Sequence, residues 1–224
     1  MIRQLKVARD QAVEQRTAAM VTMKAMLVHA PDTLRRETAG KTQISLARQL
    51  AALRPRRLEG PEDALRHTLR TLAKRWQYLD AEAKDLTEMI GDPVQRAAPQ
   101  MLEPSGIGVD TAAEILVMTG DNPERIKSEA ALAKLAGIAP VPTGSGMTNG
   151  RHRINHGGHR QLNAATYRTV IARMRFHQPT IDHVARRTAE GKTKREIIRC
   201  LKRYVIREVY HLLRPAPQTA SAAS

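Results

Sequence analysis

The sequence is poor in aromatic side chains, has a single cysteine and contains no long apolar run. One Phe, one Trp and four Tyr among 224 residues leave few platforms for unstacked bases, which argues against single-strand binding through aromatic stacking. Cys200 alone excludes an internal disulfide framework and is typical of a reducing cytoplasm. No 18 consecutive residues are apolar, and the first eleven contain no apolar signal region. We therefore expect no membrane span, no secretory signal and a cytoplasmic location.

Acidic residues are scarce in the last third of the chain. The whole sequence has 37 Lys and Arg against 22 Asp and Glu, a formal charge of +15. Sixteen of these cations and only four of the acids lie between Arg151 and Arg214, a local balance of +12. This excess predicts a polyanionic partner, either nucleic acid or an anionic membrane surface. We expect the C-terminal third to bind its backbone.

Hydrophobic periodicity predicts a mainly α chain. No stretch alternates like a convincing strand, and residues 138–156 are expected to form a loop or small hairpin that turns at Asn149 and Gly150. Gly91 and Pro93 predict the end of the longest helix. The predicted helices cover residues 2–30, 43–53, 61–90, 110–119, 129–136, 158–176, 179–190 and 193–213.

The longest predicted helix carries an apolar residue in alternating steps of four and three. This spacing is typical of a coiled coil, and a long helix in an ordinary bundle explains it equally well. The apolar stripe requires a partner, which is the helix at 2–30, another copy of the chain, or both. The expected domains are a helical, coiled-coil region at 1–95, a compact domain at 96–214 and a disordered tail at 215–224. The stripe consists of Leu65, Leu69, Leu72, Trp76, Leu79, Ala83, Leu86 and Ile90.

A glycine-rich turn, "LEPSGIGVDTAAEIL", has the pattern of a helix-hairpin-helix motif. Gly106 and Gly108 flank Ile107, which is expected to enter the core. Glycine N–H groups at a helix start can approach a phosphate closely. A tight turn between helices without a ligand explains the same residues.

The last predicted helix carries arginines on one face at steps of four: Arg195, Arg199, Arg203 and Arg207. Lys192, Lys194 and Lys202 add to them, and only Glu196 and Glu208 offset the seven cations. We expect this row to contact phosphates, together with Arg168 and Arg175 on the helix at 158–176. The predicted core residues of the last helix are Ile198, Leu201, Val205, Val209 and Leu212.

Ser145 lies between Gly144 and Gly146, just upstream of Arg151, Arg153 and Arg160. Attack of a serine on a phosphodiester requires cations around the developing charge, which these arginines could supply. Residue chemistry alone favours an ordinary loop serine. No P-loop is expected, since Arg186 stands where the motif needs its first glycine. No metal site is expected, because His152, His156 and His159 lack a neighbouring Cys or acidic ligand.

Four segments of residues 98–213 resemble the C-terminal domain of a known recombinase family. They are "PSGIGVDTAAEIL", "LAKLAGIAPVPTGSG", "GRHRINHGGHRQLN" and "EGKTKREIIRCLKRYVIREVY", in the order and spacing of that family. The family comprises prokaryotic insertion-sequence transposases that join a RuvC-like DEDD domain to a serine transposase domain and are guided by a bridge RNA. The N-terminal helix and the stripe at 61–90 are similar to the family's connecting helix and dimerising arm.

The resemblance implies DNA transposition through a covalent phosphoserine link formed by Ser145, with Gly146 beside it and the basic residues along the DNA path. It also implies DNA and a guide RNA as partners, a homo-oligomer formed through the coiled coil, and a prokaryotic, nucleoid-associated location. The family's four metal-binding acids precede the matching region, so Mg is expected only with that acidic domain and no cofactor is expected in this chain. We therefore expect little strand transfer from this chain alone. His156 and His159 depart from the family pattern. The alternatives are a non-catalytic helical nucleic-acid-binding protein and a coiled-coil oligomerisation protein.

Overall fold

The computed structural model describes residues 1–54, 57–120, 123–142, 152–153 and 157–214, and it is mainly α, as predicted. Two compact units divide between Met89 and Ile90, whereas the predicted domain limits at 1–95 and 96–214 remain predictions. None of the described helices combines the length and apolar character that crossing a bilayer requires. The predicted tail at 215–224 lies outside the described residues.

The described elements include nine α-helices, two 3₁₀ turns and one pair of two-residue strands. The helices are α1 (Ile2–Val28), α2 (Asp32–Thr38), α3 (Gln43–Ala51), α4 (Pro61–Ala97), α5 (Val109–Thr119), α6 (Glu129–Leu135), α7 (Arg160–Phe176), α8 (Gln178–Ala189) and α9 (Lys194–Leu212). The 3₁₀ turns are Pro99–Met101 and Pro123–Arg125, and the strands are β1 (Val141–Pro142) and β2 (His152–Arg153).

The apolar stripe of α4 finds its partner within the same chain. Ala12 of α1 packs with Leu79 and Ala83 of α4 in one cluster. A larger cluster joins α1, α2, α3 and α4 through Met23, Leu34, Leu50, Leu69 and Trp76. Because α1, α2 and α3 cover these side chains, their burial does not require a second copy of the chain. The predicted homo-oligomer stays a prediction.

Polar contacts beside this core reinforce the pairing of α1 with α4. Arg16 Nη1 donates to Asp80 Oδ1 at 2.6 Å, and the same guanidinium lies 5.9 Å from the centre of the Trp76 ring. Lys84 Nζ lies 2.8 Å from the second Asp80 oxygen. The hydrogen bond from Lys84, and then that from Arg16, lower the pKa of Asp80 below its ordinary value although burial opposes the shift.

The predicted end of α4 at Gly91–Pro93 is wrong, because the helix continues to Ala97. Proline removes a backbone donor and normally ends or kinks a helix. Here Ile90 and Val94 are fully buried on either side of Pro93, and their burial favours continued helix. The short helix α2, which carries the buried Leu34, was also not predicted.

The second unit is organised around α7, which contacts α5, α8 and α9. Helix α6 packs against α9 on another side. Leu162, Ala165, Thr166 and Val170 of α7 are buried, and Met174 is half-buried. This arrangement leaves the opposite face of α9 open.

Candidate nucleic-acid interface

Helix α9 begins at a capping box that the sequence specifies locally. The Thr193 hydroxyl accepts from the Glu196 N–H, and the Glu196 carboxylate accepts from the Thr193 N–H at 2.9 Å. Such reciprocal bonds satisfy two of the four unpaired N–H groups at a helix start. They also hold the pKa of Glu196 below its ordinary value, chiefly through the backbone bond from Thr193.

The buried face of α9 differs from the predicted stripe at its edges. Leu201, Val205 and Val209 are buried as predicted. Ile198 and Leu212 are only half-buried, which corrects the prediction for both. The buried face is wider than the predicted stripe and rotated relative to it, because α9 packs against three helices, α6, α7 and α8, rather than against one. Ile197, Ile206 and Tyr210 are buried in addition.

The predicted arginine row occupies the open side of α9. All four side chains, at 195, 199, 203 and 207, are exposed. Residues four apart in a helix rise by about 6 Å and turn only slightly, so the four guanidinium groups follow one another along a shallow spiral. From the first to the last of the four positions the row extends over about 18 Å along the helix.

Neither carboxylate of α9 neutralises this row. Glu196 is engaged in the capping box, and Glu208 Oε2 lies 2.7 Å from Arg173 Nη1 on α7. Among the residues that the structure describes, Arg195, Arg199 and Arg203 have no carboxylate within ion-pair distance. Three adjacent members of the row are therefore available to an external anion.

Arg207 is the exception. Its Nε donates to Glu129 Oε2 at 3.0 Å, and the other Glu129 oxygen lies 3.0 Å from His211 Nε2. Burial alone would raise the pKa of Glu129, but the hydrogen bonds from Arg207 and His211 outweigh it and lower that pKa. No local pattern predicts the pair of Arg207 and Glu129, because the two residues are 78 positions apart.

Lys202 contributes to structure rather than to the open row. Its half-buried ammonium group lies 2.5 Å from Asn163 Oδ1 on α7. The Asn163 amide donates in turn to Ala136 O at 2.8 Å. Burial, and secondarily the nearby Arg199 charge, lower the pKa of Lys202. The network joins α7 and α9 to the end of α6.

The glycine turn before α5 is explained largely by packing. Gly106 has φ of 83°, and a Cβ there would lie 3.1 Å from the Thr169 carbonyl oxygen of α7. Ile107 is buried, as predicted. Gly108 precedes α5 with nothing within 4 Å of a Cβ position, so only this glycine leaves space beside the helix start. Phosphate contact at either glycine stays a prediction.

The basic residues of α7 divide into exposed and engaged groups. Arg160 and Arg175 are exposed, whereas the exposed Arg168 lies 3.3 Å from Asp110 at the start of α5. Arg173, which the sequence pattern did not single out, is 11% exposed at its side chain and pairs with Glu208. Its Nε donates to Ser105 O at 2.7 Å. Arg173 of α7 thereby links the glycine turn before α5 to α9.

The segment that carries Ser145 is anchored at both of its ends. Val141 of β1 pairs with Arg153 of β2 in antiparallel register. Downstream, the His159 N–H donates to Leu135 O at 2.6 Å, and the backbones of Gly158 and Gly137 meet so closely that a Cβ on Gly158 would lie 2.0 Å from Gly137 N. Part of the predicted site lies outside the described residues, namely Ser145, Gly146, Arg151 and the side chain of Arg153. The predicted turn at 149–150 lies outside them as well.

Within the described ranges, no group of three His, Cys, Asp or Glu side chains could hold a metal ion. His159 Nδ1 accepts from the Leu162 N–H at 3.3 Å and so caps α7. His156 and the His152 side chain are not among the described groups.

Comparison with known proteins places this unit in a family context. Residues 100–185 match the family described as "Transposase IS116/IS110/IS902 family". Over 159 residues the chain is 31% identical to the insertion element IS900 uncharacterized 42 kDa protein of Mycobacterium paratuberculosis, an alignment that covers 67% of this chain and 40% of that protein. Over 151 residues it is 29% identical to the insertion element IS110 uncharacterized 43.6 kDa protein of Streptomyces coelicolor, covering 67% of this chain and 36% of that protein. The chain thus spans less than half the length of these curated relatives.

Proposed function

Because residues 100–185 belong to the IS116/IS110/IS902 transposase family, we propose that this chain is the DNA-binding, serine-nucleophile part of an insertion-element transposase. The observation that carries the binding part is the exposed row of Arg195, Arg199 and Arg203, which lacks acidic partners within the described ranges. The nucleophile is proposed from the resemblance of the serine–glycine pair at 145 and 146 to the family pattern. A guide RNA and a homo-oligomer belong to the same proposal.

Phosphate binding by α9 predicts a defined salt dependence. Each phosphate contact on duplex DNA contributes about 0.9 to the slope of log affinity against log salt. Replacing Arg195, Arg199 and Arg203 together by Gln should therefore make the salt dependence shallower, reducing the magnitude of the slope by about 2.7. The slope is measured by fluorescence anisotropy with a mixed-sequence duplex at several salt concentrations.

A matched control removes the same charge from the other unit. Lys24, Arg36 and Lys41 are exposed and lie in α1, in α2 and just before α3. Their triple Gln variant has the same net charge as the α9 variant, so it should retain most of the wild-type slope. Equal slopes for the two variants would show that the charge acts without a specific surface, contrary to the proposal.

The proposed chemistry at Ser145 is a transesterification. Its Oγ attacks the phosphorus of a phosphodiester and forms the new P–O bond, while the bond from phosphorus to the leaving deoxyribose oxygen breaks. The serine proton passes to a base, and the leaving oxygen takes up a proton. Arg151, Arg153 and Arg160 are proposed to stabilise the charge on the phosphoryl oxygens.

Strand exchange tests the nucleophile separately from binding. Ser145→Ala should abolish the covalent protein–DNA product, assayed on denaturing gels with the acidic domain of the family supplied, and leave duplex affinity unchanged. The chain alone should bind DNA but form little adduct. Robust Ser145-dependent adduct from the chain alone would contradict the expected need for that domain.

The alternative function is non-catalytic binding of nucleic acid. It is favoured by the same arginine row, which requires no nucleophile. Under this alternative, Ser145→Ala affects neither binding nor any recombination measured with the acidic domain present.

A further inference from the structure

A cleft of about 320 Å³ opens between α6 and α9, and one carboxylate stands at its cationic wall. The lining includes Glu129 from α6 and Arg203, Tyr204 and Arg207 from α9. Arg203 and Arg207 are the third and fourth members of the arginine row. The row therefore continues directly into this cleft.

Glu129 makes the contacts that a phosphate would make there. One of its oxygens accepts from Arg207 Nε at 3.0 Å, and the other lies 3.0 Å from His211 Nε2. A carboxylate and a phosphodiester each present two anionic oxygens on one central atom, and both form strong hydrogen bonds with guanidinium N–H groups. Arg207 and His211 are thus occupied by an internal anion.

The three groups are accessible enough to exchange partners. The side chains of Arg207 and His211 are 58% and 62% exposed, and that of Glu129 is 37% exposed. Ion pairs with this exposure contribute little to stability. A phosphate that approaches along the row can therefore replace the carboxylate without opening the core.

We propose that the cleft between α6 and α9 is a phosphodiester subsite of the nucleic-acid interface and that Glu129 competes with the phosphate for Arg207 and His211. This inference rests on the proposed nucleic-acid binding. It assigns Glu129 the opposite effect from a residue that only joins α6 to α9: its charge lowers affinity for the nucleic acid.

The test compares Glu129→Gln with Asp182→Asn, which removes one exposed carboxylate from α8. Asp182 accepts a hydrogen bond from Gln178 at 2.7 Å and has no cation of the row as a partner among the described residues. The probe is a mixed-sequence duplex, with affinity measured across salt concentrations. One additional phosphate contact steepens the fall of log affinity with log salt by about 0.9. Glu129→Gln should therefore bind more tightly than Asp182→Asn at 50 mM salt, and this advantage should shrink by about 3.5-fold at 200 mM.

The gain must depend on the two hydrogen-bond partners of Glu129, Arg207 and His211. In a background with Arg207 and His211 both replaced by Gln, Glu129→Gln should raise affinity no more than Asp182→Asn does. Glu129→Asp, which keeps the charge but shortens the side chain, should give an intermediate gain, and it decides the question if Glu129→Gln does not fold.

Each result has a definite meaning. Equal affinities for Glu129→Gln and Asp182→Asn, or weaker binding by Glu129→Gln with its fold intact, would overturn the competitor role and leave the proposed function standing. No salt-dependent binding by the wild-type chain would overturn both.

Discussion

The contact between Gly158 and Gly137 makes Gly158→Ala the most demanding test of the second unit. A Cβ at Gly158 would lie 2.0 Å from Gly137 N, 2.1 Å from Gly137 Cα and 2.7 Å from Ala136 C. Real Cβ contacts essentially never fall below 3.0 Å, so the two backbones must separate by about 1 Å or more. All three atoms belong to backbone, and no side-chain rotation can relieve the clash.

Separating the two backbones would also break two hydrogen bonds next to the contact. The His159 N–H donates to Leu135 O at 2.6 Å, and the Asn163 amide donates to Ala136 O at 2.8 Å. Overpacking costs about 1–3 kcal/mol, and each lost bond adds about 1 kcal/mol. We expect Gly158→Ala to lower the free energy of unfolding of the second unit by roughly 3–5 kcal/mol.

Urea denaturation, combined with hydrogen exchange of peptides from 129–137 and 157–163, measures this loss. Gly91→Ala is the matched control, because nothing lies within 4 Å of a Cβ there and the residue is inside α4. That substitution should stabilise the chain by about 0.5–1 kcal/mol. Unchanged exchange in 157–163, with unfolding free energy within about 0.5 kcal/mol of wild type, would refute the described backbone contact.

Three further substitutions test local features. Asp80→Asn should lower the free energy of unfolding of the first unit by about 1 kcal/mol at pH 7. Trp76 fluorescence monitors this unfolding. The lowered folded pKa of Asp80 means that its stabilisation is present above the ordinary pKa of 3.8 and is lost as pH falls through the folded value; a mutational effect that does not shrink as pH is lowered below 3.8 would contradict this. Gly106→Ala should cost about 1–3 kcal/mol in urea because φ is 83°, and an equal cost for Gly108→Ala, which has open space, would count against that reason. Thr193→Ala should cost about 1 kcal/mol in thermal unfolding, whereas Thr193→Ser should retain most of the cap; equal losses would exclude the capping bond as the cause.

The sequence predicted elements whose signals are local and failed where packing between distant segments decides. The helix that the sequence predicts at 193–213 occupies Lys194–Leu212, because the helical spacing of its apolar and basic residues is a local signal. The end of α4 was missed because burial of Val94 outweighs the effect of Pro93. Local rules describe the proline but not what its neighbours contact.

The candidate interface shows the same division. Exposure of the arginine row follows from a spacing of four residues, which keeps the side chains on one helix face. The pairing of Arg207 with Glu129 and of Arg173 with Ser105 depends on how α6, α7 and α9 pack. No periodicity in the sequence encodes these two contacts, so the occupied end of the row became visible only in the structure.

The ladder between Val141 and Arg153 has a consequence for how relatives of this protein can diverge. The ladder brings Val141 and Arg153 together, and the entropic cost of joining two paired positions grows by only about 0.6 kcal/mol for each doubling of the number of residues between them. Insertions or deletions between the two strands should therefore lower the stability of the fold far less than loss of the ladder itself, so the proposed chemistry at Ser145, rather than folding, would limit the length of this stretch.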